Sequence, residues 1–290
     1  MGLSDGHFSL FITLIISTLF KKKYIIFLFD LYLGNKFNFI NHCIAKILEP
    51  IIIKHAKVII VTNKSTKDYY INKYGKSEKY YIIHNSVLSN NYKGAIRTHE
   101  IAKNSSKDII KIIFTGNIYW PQKQSLKNLL DLTEKNDKIK LDIYCPNVPK
   151  DILNKYKNIK NINFTSAQQS EMPKVQSEAD ILFLPLSWNS DAPDIIKTAS
   201  PGKLTDYLIA GKPILIHAPE YSFITKYAKK NEFAEVVDTN SIEALSKSIS
   251  KLIDKSDYSK KLVENAKKTF YKNHEASKNA KKLANIINNI

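Results

Sequence analysis

Short, unbroken apolar runs recur along this chain, separated by segments with helical periodicity, and that alternation limits the folds open to it. The runs are YIIFLF (24–29), KVIIVT (57–62), KYYIIH (79–84), KIIFTG (111–116), KIKLDIYC (138–145), IKNINFT (159–165), DILFLPL (180–186), KPILIHA (212–218) and FAEVVD (233–238). Strands that are apolar throughout, rather than alternating, are buried on both faces, and helices between them imply right-handed βαβ units and parallel sheets. The polar stretch containing SNNYKG and KNSSKD divides the pattern. The expected organisation is a small Rossmann-like domain over 1–95, a linker over 96–108, and a complete doubly wound parallel sheet with C-terminal helices over 109–290. The first domain shows three strands and the second six, so the first reads as incomplete. Two C-terminal helices are expected, with apolar positions Leu262, Val263, Ala266 and Phe270, then Ala276, Ala280, Leu283 and Ile287.

The segment Phe8–Phe20 is apolar but only 13 residues long, below the roughly 20 that a membrane-spanning helix needs. Its lysines, Lys21 to Lys23, follow the apolar run instead of preceding it, and no small-residue cleavage site comes after, which argues against a secretory signal. It reads as a buried helix feeding the strand at 24–29. The expected location is the cytoplasm, with peripheral contact at the inner face of a membrane.

The net charge is +17, which raises the question of nucleic acid. Arg97 is the sole arginine among 44 basic residues. Recognition of base edges and phosphate forks favours the planar guanidinium, so the charge reads as solvated lysine with secondary attraction to acidic headgroups or anionic substrates, and no nucleic-acid partner is expected. Cys43 and Cys145 read as small core residues. The seven histidines never fall at metal-ligand spacing, and His84 and His217, at strand ends, read as structural. There is no P-loop, G-x-G-x-x-G or G-x-S-x-G.

The chemically informative stretch is 180–219. Ser200 suits an N-cap, Pro201 the first helical position, and Gly202 close approach of a ligand to the backbone. A helix start at the carboxyl edge of a parallel sheet suits a diphosphate, Lys203 adds a full charge, and Asp206, one turn on, is placed to accept hydrogen bonds from ribose hydroxyls. Two readings of these residues stand at this point: a nucleotide site, or a capped helix with a solvated aspartate. Trp120 and Trp188 likewise either line a sugar or pack a rim.

SPGKLTDYLIAGKPIL (200–215) resembles a conserved segment of nucleotide-sugar-dependent glycosyltransferases of the GT-B fold, in the group-1, family-4-like branch. KIIFTGNIY, ADILFLPLSW, and KHAKVIIVTNKSTKDYYINKYG followed by IIHNSV match that family's other landmarks in the right order, from about Ala56 to the C terminus. The resemblance implies two Rossmann-like domains, the N-terminal one truncated by on the order of 100 residues. It implies a glycosyltransferase that takes a nucleotide-diphosphate sugar and glycosylates a lipid-linked, polysaccharide or other glycan acceptor, retaining and metal-independent, with no cofactor beyond the donor. Donor contacts carried over by matching position are Gly116 and Asn117 under the diphosphate and Ser200, Gly202, Lys203 and Thr205 at the helix start. Asp206 takes the ribose, Lys123 the leaving nucleotide, and Ser166 the base. For Lys123 and Ser166 an exposed side chain without a role is the competing reading. No catalytic residue is assigned. Thr198 stands where the family's E-x7-E motif has its first glutamate, with Asp191 and Asp194 nearby at the wrong spacing. The alternative to an enzyme is a nucleotide-sugar-binding subunit that depends on a partner chain to complete its first domain.

Overall fold

The structure, a computed structural model, describes residues 1–3, 9–34, 39–75, 78–94, 109–189 and 191–289. In chain order the first elements are β1 (Gly2–Leu3), α1 (Ser9–Leu19), β2 (Ile25–Leu28), α2 (Phe39–His55), β3 (Val58–Val61), α3 (Lys64–Tyr74) and β4 (Tyr80–Ile82). Next come β5 (Ile110–Thr115), α4 (Lys123–Glu134), β6 (Ile139–Tyr144), α5 (Lys150–Tyr156), β7 (Ile162–Thr165), α6 (Met172–Ser177) and β8 (Ile181–Pro185). The chain closes with α7 (Pro193–Thr198), α8 (Lys203–Ile209), β9 (Ile214–His217), α9 (Phe223–Asn231), β10 (Glu235–Val237), α10 (Ile242–Asp254), α11 (Ser256–Asn273) and α12 (Ala276–Asn288).

These elements form two compact units. One comprises 1–85, 192–200 and 277–290; the other comprises 86–191 and 201–276. The expected linker, 96–108, lies outside the described residues. The last helix groups with the first unit, not with the second as its place in the sequence suggests.

The first unit is built on a four-stranded parallel sheet in the order β1-β2-β3-β4. The expectation of three strands missed β1, whose two residues are too few to show any periodicity. β3 is VIIV and buried at every position. Ile59 and Val61 join Leu10, Ala45, Ile52 and Tyr70 from α1, α2 and α3, whereas Val58 and Ile60 pack with Ile83, Leu283 and Ile286. This is the two-sided burial that an unbroken apolar strand implies. α3 begins where Asn63 accepts from the Thr66 N–H (2.9 Å) and ends at Gly75, whose φ of +93° suits glycine. α12 turns Asn279 and Ile286 inward, not the expected Ala280 and Ile287, because the Asn279 amide donates to the His84 carbonyl (3.1 Å) and fixes the helix's rotation.

Two further expectations about this unit are corrected. α1 is not a buried helix: Leu10 and Ser17 face the core while Ile12, Ile15, Ile16 and Leu19 face outward. Cys43, expected in the core, is exposed on α2; Cys145 is buried as expected. No helix among the described residues is long and apolar enough to cross a membrane.

The second unit carries a six-stranded, all-parallel sheet in the order β10-β9-β8-β5-β6-β7. Ile112, Phe114, Ile181, Phe183 and Leu215 point to one face, into a core with Leu126, Leu129 and Leu130 of α4 and Leu245, Ile249 and Leu252 of α10. Their alternating neighbours Ile113, Leu182, Leu184, Ile214 and Ile216 are also buried and face the other way. α10 is an amphipathic helix that the apolar-position count had passed over; Ser241 caps it by accepting from the Ala244 N–H.

Candidate functional site

β5 is where the second sheet reverses its order, with β6 and β7 on one side and β8, β9 and β10 on the other. In open parallel sheets a ligand sits beyond the carboxyl ends of the strands at such a reversal. Here that end is Thr115–Gly116. Gly116 has φ +91°, and its N–H donates to the Tyr144 carbonyl (2.8 Å), fixing a tight turn. A Cβ at Gly116 would stand 3.5 Å from Cε and 3.7 Å from Nζ of Lys203, so the turn rests directly on that lysine.

Lys203 opens α8. Its stem is partly exposed, but Nζ is shut off from solvent, lies 3.6 Å from the centre of the Phe114 ring, and has no hydrogen-bond partner among the described residues. Burial pushes its pKa down to about 7, against a small opposing effect from Cys145. The ring face returns part of the lost hydration of an ammonium, and an acceptor is what the site lacks.

The start of α8 differs from expectation. Gly202 occupies the cap position with helical dihedrals and no side-chain cap, and the helix proper begins at Lys203. The Leu204 N–H donates to the Pro201 carbonyl (3.0 Å) and the Thr205 N–H to the Gly202 carbonyl (3.1 Å). Ser200 is therefore not the N-cap, because this tight first turn satisfies those amides itself. Ser200 groups with the first unit, where its carbonyl accepts from Asn85 (3.0 Å). The positive charge at this helix start comes mainly from the Lys203 ammonium.

One turn on, Asp206 Oδ1 accepts from the Tyr92 hydroxyl at 2.7 Å. Burial raises the Asp206 pKa, and Tyr92's donation opposes that. Tyr92 lies 3.2 Å from Gln176 Oε1, and the Gln176 amide reaches Thr115 Oγ1 at 3.5 Å. The Thr115 N–H donates to the Tyr207 hydroxyl (3.0 Å). Buried side chains thus tie the end of β5 to α8 and hold Asp206 in one orientation. Sequence reasoning missed Tyr92, Gln176, Tyr207 and Phe114. Tyr92 lies in the polar stretch SNNYKG at the end of the first pattern, which shows no periodicity, and the others look like ordinary core residues until the fold places them at the reversal.

The family model for group 1 glycosyl transferases matches residues 97–269, more than half of the chain. The chain belongs to this family. Its two parallel-sheet units give it the GT-B fold, as the solved structures bear out. Anabaena Alr3699/HepE in complex with UDP-glucose is 12% identical with a TM-score of 0.75, covering 99% of this chain and 78% of that one. Sucrose-phosphate synthase from Thermosynechococcus elongatus is 11% identical with a TM-score of 0.76, covering 98% and 71%. WaaG, a glycosyltransferase involved in lipopolysaccharide biosynthesis, is 13% identical with a TM-score of 0.59, covering 89% and 76%. No curated protein matches significantly.

Among the residues that the glycosyltransferase resemblance singled out, Gly116 meets Lys203 directly, and Gly202, Thr205 and Asp206 share the Lys203 turn and helix. Thr205 is buried. Asn117 is exposed, its amide on the Tyr119 hydroxyl (3.0 Å), and Ser166 is exposed just beyond the carboxyl end of the outermost strand, β7. Lys123 is paired with Asp151 (2.9 Å), as is Lys127 (3.1 Å), and the two lysines hold that carboxyl down to about 2. Its charge is already matched at the surface. The Thr198 hydroxyl donates to the Asp194 carbonyl within α7 (2.7 Å), so it is engaged inside its own helix. The Trp188 ring packs against His217, 4.6 Å between centres. His217 is buried between Ser125 and the Thr239 carbonyl, with its pKa pushed down to about 4 by burial, and is structural.

Proposed function

We propose that the second unit binds a nucleoside-diphosphate sugar and that the protein transfers the sugar, with retention and without a metal or other cofactor, to a glycan, polysaccharide or lipid-linked acceptor in the cytoplasm. One observation carries this reading: a buried ammonium without an acceptor, at the sheet reversal, beneath a glycine turn and one helical turn from an oriented carboxylate. Diphosphate oxygens supply what Lys203 lacks, and the second oxygen of Asp206 is left to accept from a ribose hydroxyl. When the bond from the anomeric carbon to the phosphate oxygen breaks, its electron pair stays on the diphosphate, where Lys203 stabilises it. The acceptor oxygen bonds to the same carbon, and its proton passes to the departing phosphate oxygen.

HepE is solved with UDP-glucose and TarM with UDP, which makes UDP the first ligand to try. UDP, GDP and ADP titrated calorimetrically should reveal saturable binding by at least one. Asp206→Ala should weaken it on the order of 10- to 100-fold, the range for hydrogen bonds to a charged group. Saturation by none of the three removes the reading.

Binding should also depend on pH. Burial sets the Lys203 pKa at about 7, and a bound diphosphate would raise it. Above pH 7 the lysine must take up a proton to bind, so affinity falls as pH rises, by up to about tenfold per unit. Calorimetry at pH 8 in two buffers of different ionisation enthalpy should register proton uptake. Identical heats in both buffers would contradict the assignment.

A partner-dependent subunit is the second reading. It is favoured by β1, a two-residue strand at the end of the first sheet whose outer side pairs with no strand among the described residues. It predicts UDP binding without sugar transfer until a second chain is added, and transfer by the purified protein alone excludes it.

A further inference from the structure

Tyr92 stands in a segment of little regular structure, and the backbone around it is tied down instead by residues 274–276. The Val87 N–H donates to the His274 carbonyl (3.2 Å), the Ala276 N–H to the Val87 carbonyl (3.1 Å), and the Ser89 N–H to Glu275 Oε2 (3.2 Å). These bonds fix a single 3-10 turn, Ser89–Tyr92, in which Tyr92 is the buried residue, 2% exposed. A hydroxyl carried that deep needs a partner. It has Asp206 Oδ1 at 2.7 Å and Gln176 Oε1 at 3.2 Å. A phenol carries one hydrogen, and the nearer, charged acceptor takes it.

Asp206 depends on that hydrogen. It is partly withdrawn from water, which favours its protonated form, and Tyr92 is its hydrogen-bond donor among the described residues. The donated bond favours the ionised carboxylate and pins Oδ1, so the second oxygen keeps one direction. The phenol is itself braced: Gln176 beside it is 1% exposed, and Tyr207, whose hydroxyl accepts from the Thr115 N–H, is fully buried. All five residues belong to the second unit. An ionised carboxylate only accepts, so its second oxygen calls for a hydroxyl or an N–H. A ligand that offers neither leaves a partly buried charge unpaired. Sites built on such an acceptor reject analogues lacking the donor far more strongly than apolar pockets reject a missing methylene.

We propose that Tyr92 is a positioning residue that makes the site select a pentose with free hydroxyls: it aims Asp206 at them without touching the ligand itself. This role rests on the donor-site reading and extends it from the diphosphate to the kind of nucleoside the site takes. The two parts of the nucleotide fall to different residues. Diphosphate oxygens meet Lys203, whose ammonium is bonded to neither Tyr92 nor Asp206, and the pentose meets Asp206. Losing the Tyr92 hydroxyl therefore weakens recognition of the pentose and leaves that of the diphosphate in place.

The test uses Tyr92→Phe, which keeps the ring and removes the hydroxyl. Calorimetry on parent and variant follows three ligands: the nucleoside diphosphate that the parent holds best among UDP, GDP and ADP, its 2′,3′-dideoxy analogue, and pyrophosphate. The parent should prefer the ribonucleotide to the dideoxy form by about 10- to 100-fold, the range for hydrogen bonds to a charged group. In Tyr92→Phe that preference should shrink to about threefold or less, while pyrophosphate affinity stays within about twofold of the parent's. Asp206→Ala should cost far less ribonucleotide affinity in the Tyr92→Phe background than in the parent, because the two side chains act as one unit. A preference undiminished in Tyr92→Phe would overturn the proposal. A loss shared equally by all three ligands, the mark of a merely structural role, would do the same. So would a parent that holds ribo- and dideoxy forms alike, although its nucleotide binding would leave the diphosphate site standing. A parent that binds none of the three nucleotides removes the donor-site reading, and the role of Tyr92 with it.

Discussion

Lys203→Met is expected to lower affinity for the nucleotide diphosphate about 100-fold or more and, at the same time, to raise the unfolding temperature of the ligand-free protein. The two effects have one origin. Without a ligand the ammonium is buried against the Phe114 ring with no hydrogen-bond partner among the described residues, and its pKa has fallen from 10.5 to about 7. The unfolded chain binds that proton more tightly than the folded chain does, so at neutral pH and below the lysine opposes folding, and stability rises with pH between about 7 and 10.5. The shift corresponds to a cost on the order of 5 kcal/mol in acid, shrinking as pH rises from about 7 to 10.5. A methionine of similar length keeps the stem's packing, places sulfur near the ring and removes the cost. Each kcal/mol regained should raise the unfolding temperature by about 2–4 °C. Scanning calorimetry of both proteins at pH 6.5 checks the stability arm, and UDP titration checks the other. A methionine variant that binds UDP as the parent does would show that the lysine faces no ligand; one that is less stable would show that the ammonium has a compensating partner.

That conflict between stability and binding also explains which parts of the molecule could be read from the sequence. Buried strands announce themselves because VIIV at β3 and ILFLP at β8 must be covered on both faces, and the second unit's six-stranded sheet followed from counting them. β1 escaped because two residues carry no period, and α1 was misjudged because a helix with two apolar stripes looks, in one dimension, the same as a buried one. At the site, Lys203, Asp206 and Gly116 were legible because their chemistry is unusual at a strand or helix end. Tyr92 was not, because its role depends on a contact with Asp206 across 114 positions. Ser200 was misassigned for a local reason: Ser-Pro-Gly fits a capped helix, but the carbonyls of Pro201 and Gly202 took the amides that a cap would have served.

Glu49 in the first unit makes the opposite case, a buried charge that is fully matched. It is 2% exposed, yet Oε1 receives the Lys73 ammonium (2.7 Å) and the Tyr74 hydroxyl, and Oε2 receives the Leu33 N–H (3.2 Å). Lys73 is held in turn against the rings of Tyr69 and Tyr74, at 5.6 and 5.1 Å. The carboxylate therefore joins α2, α3 and the turn after β2 through bonds that no apolar residue can replace singly. Glu49→Ala leaves an N–H and a hydroxyl without an acceptor and opens a cavity, and it is expected to cost about 3–5 kcal/mol of stability. Glu49→Gln retains the shape and one acceptor but loses the charge that draws Lys73 in, and should cost about half as much. Chemical denaturation followed by tyrosine fluorescence measures both. A loss below about 1 kcal/mol for the alanine variant, the range of an exposed pair, would mean that water already reaches this carboxylate and that the three elements are held together by their apolar contacts alone.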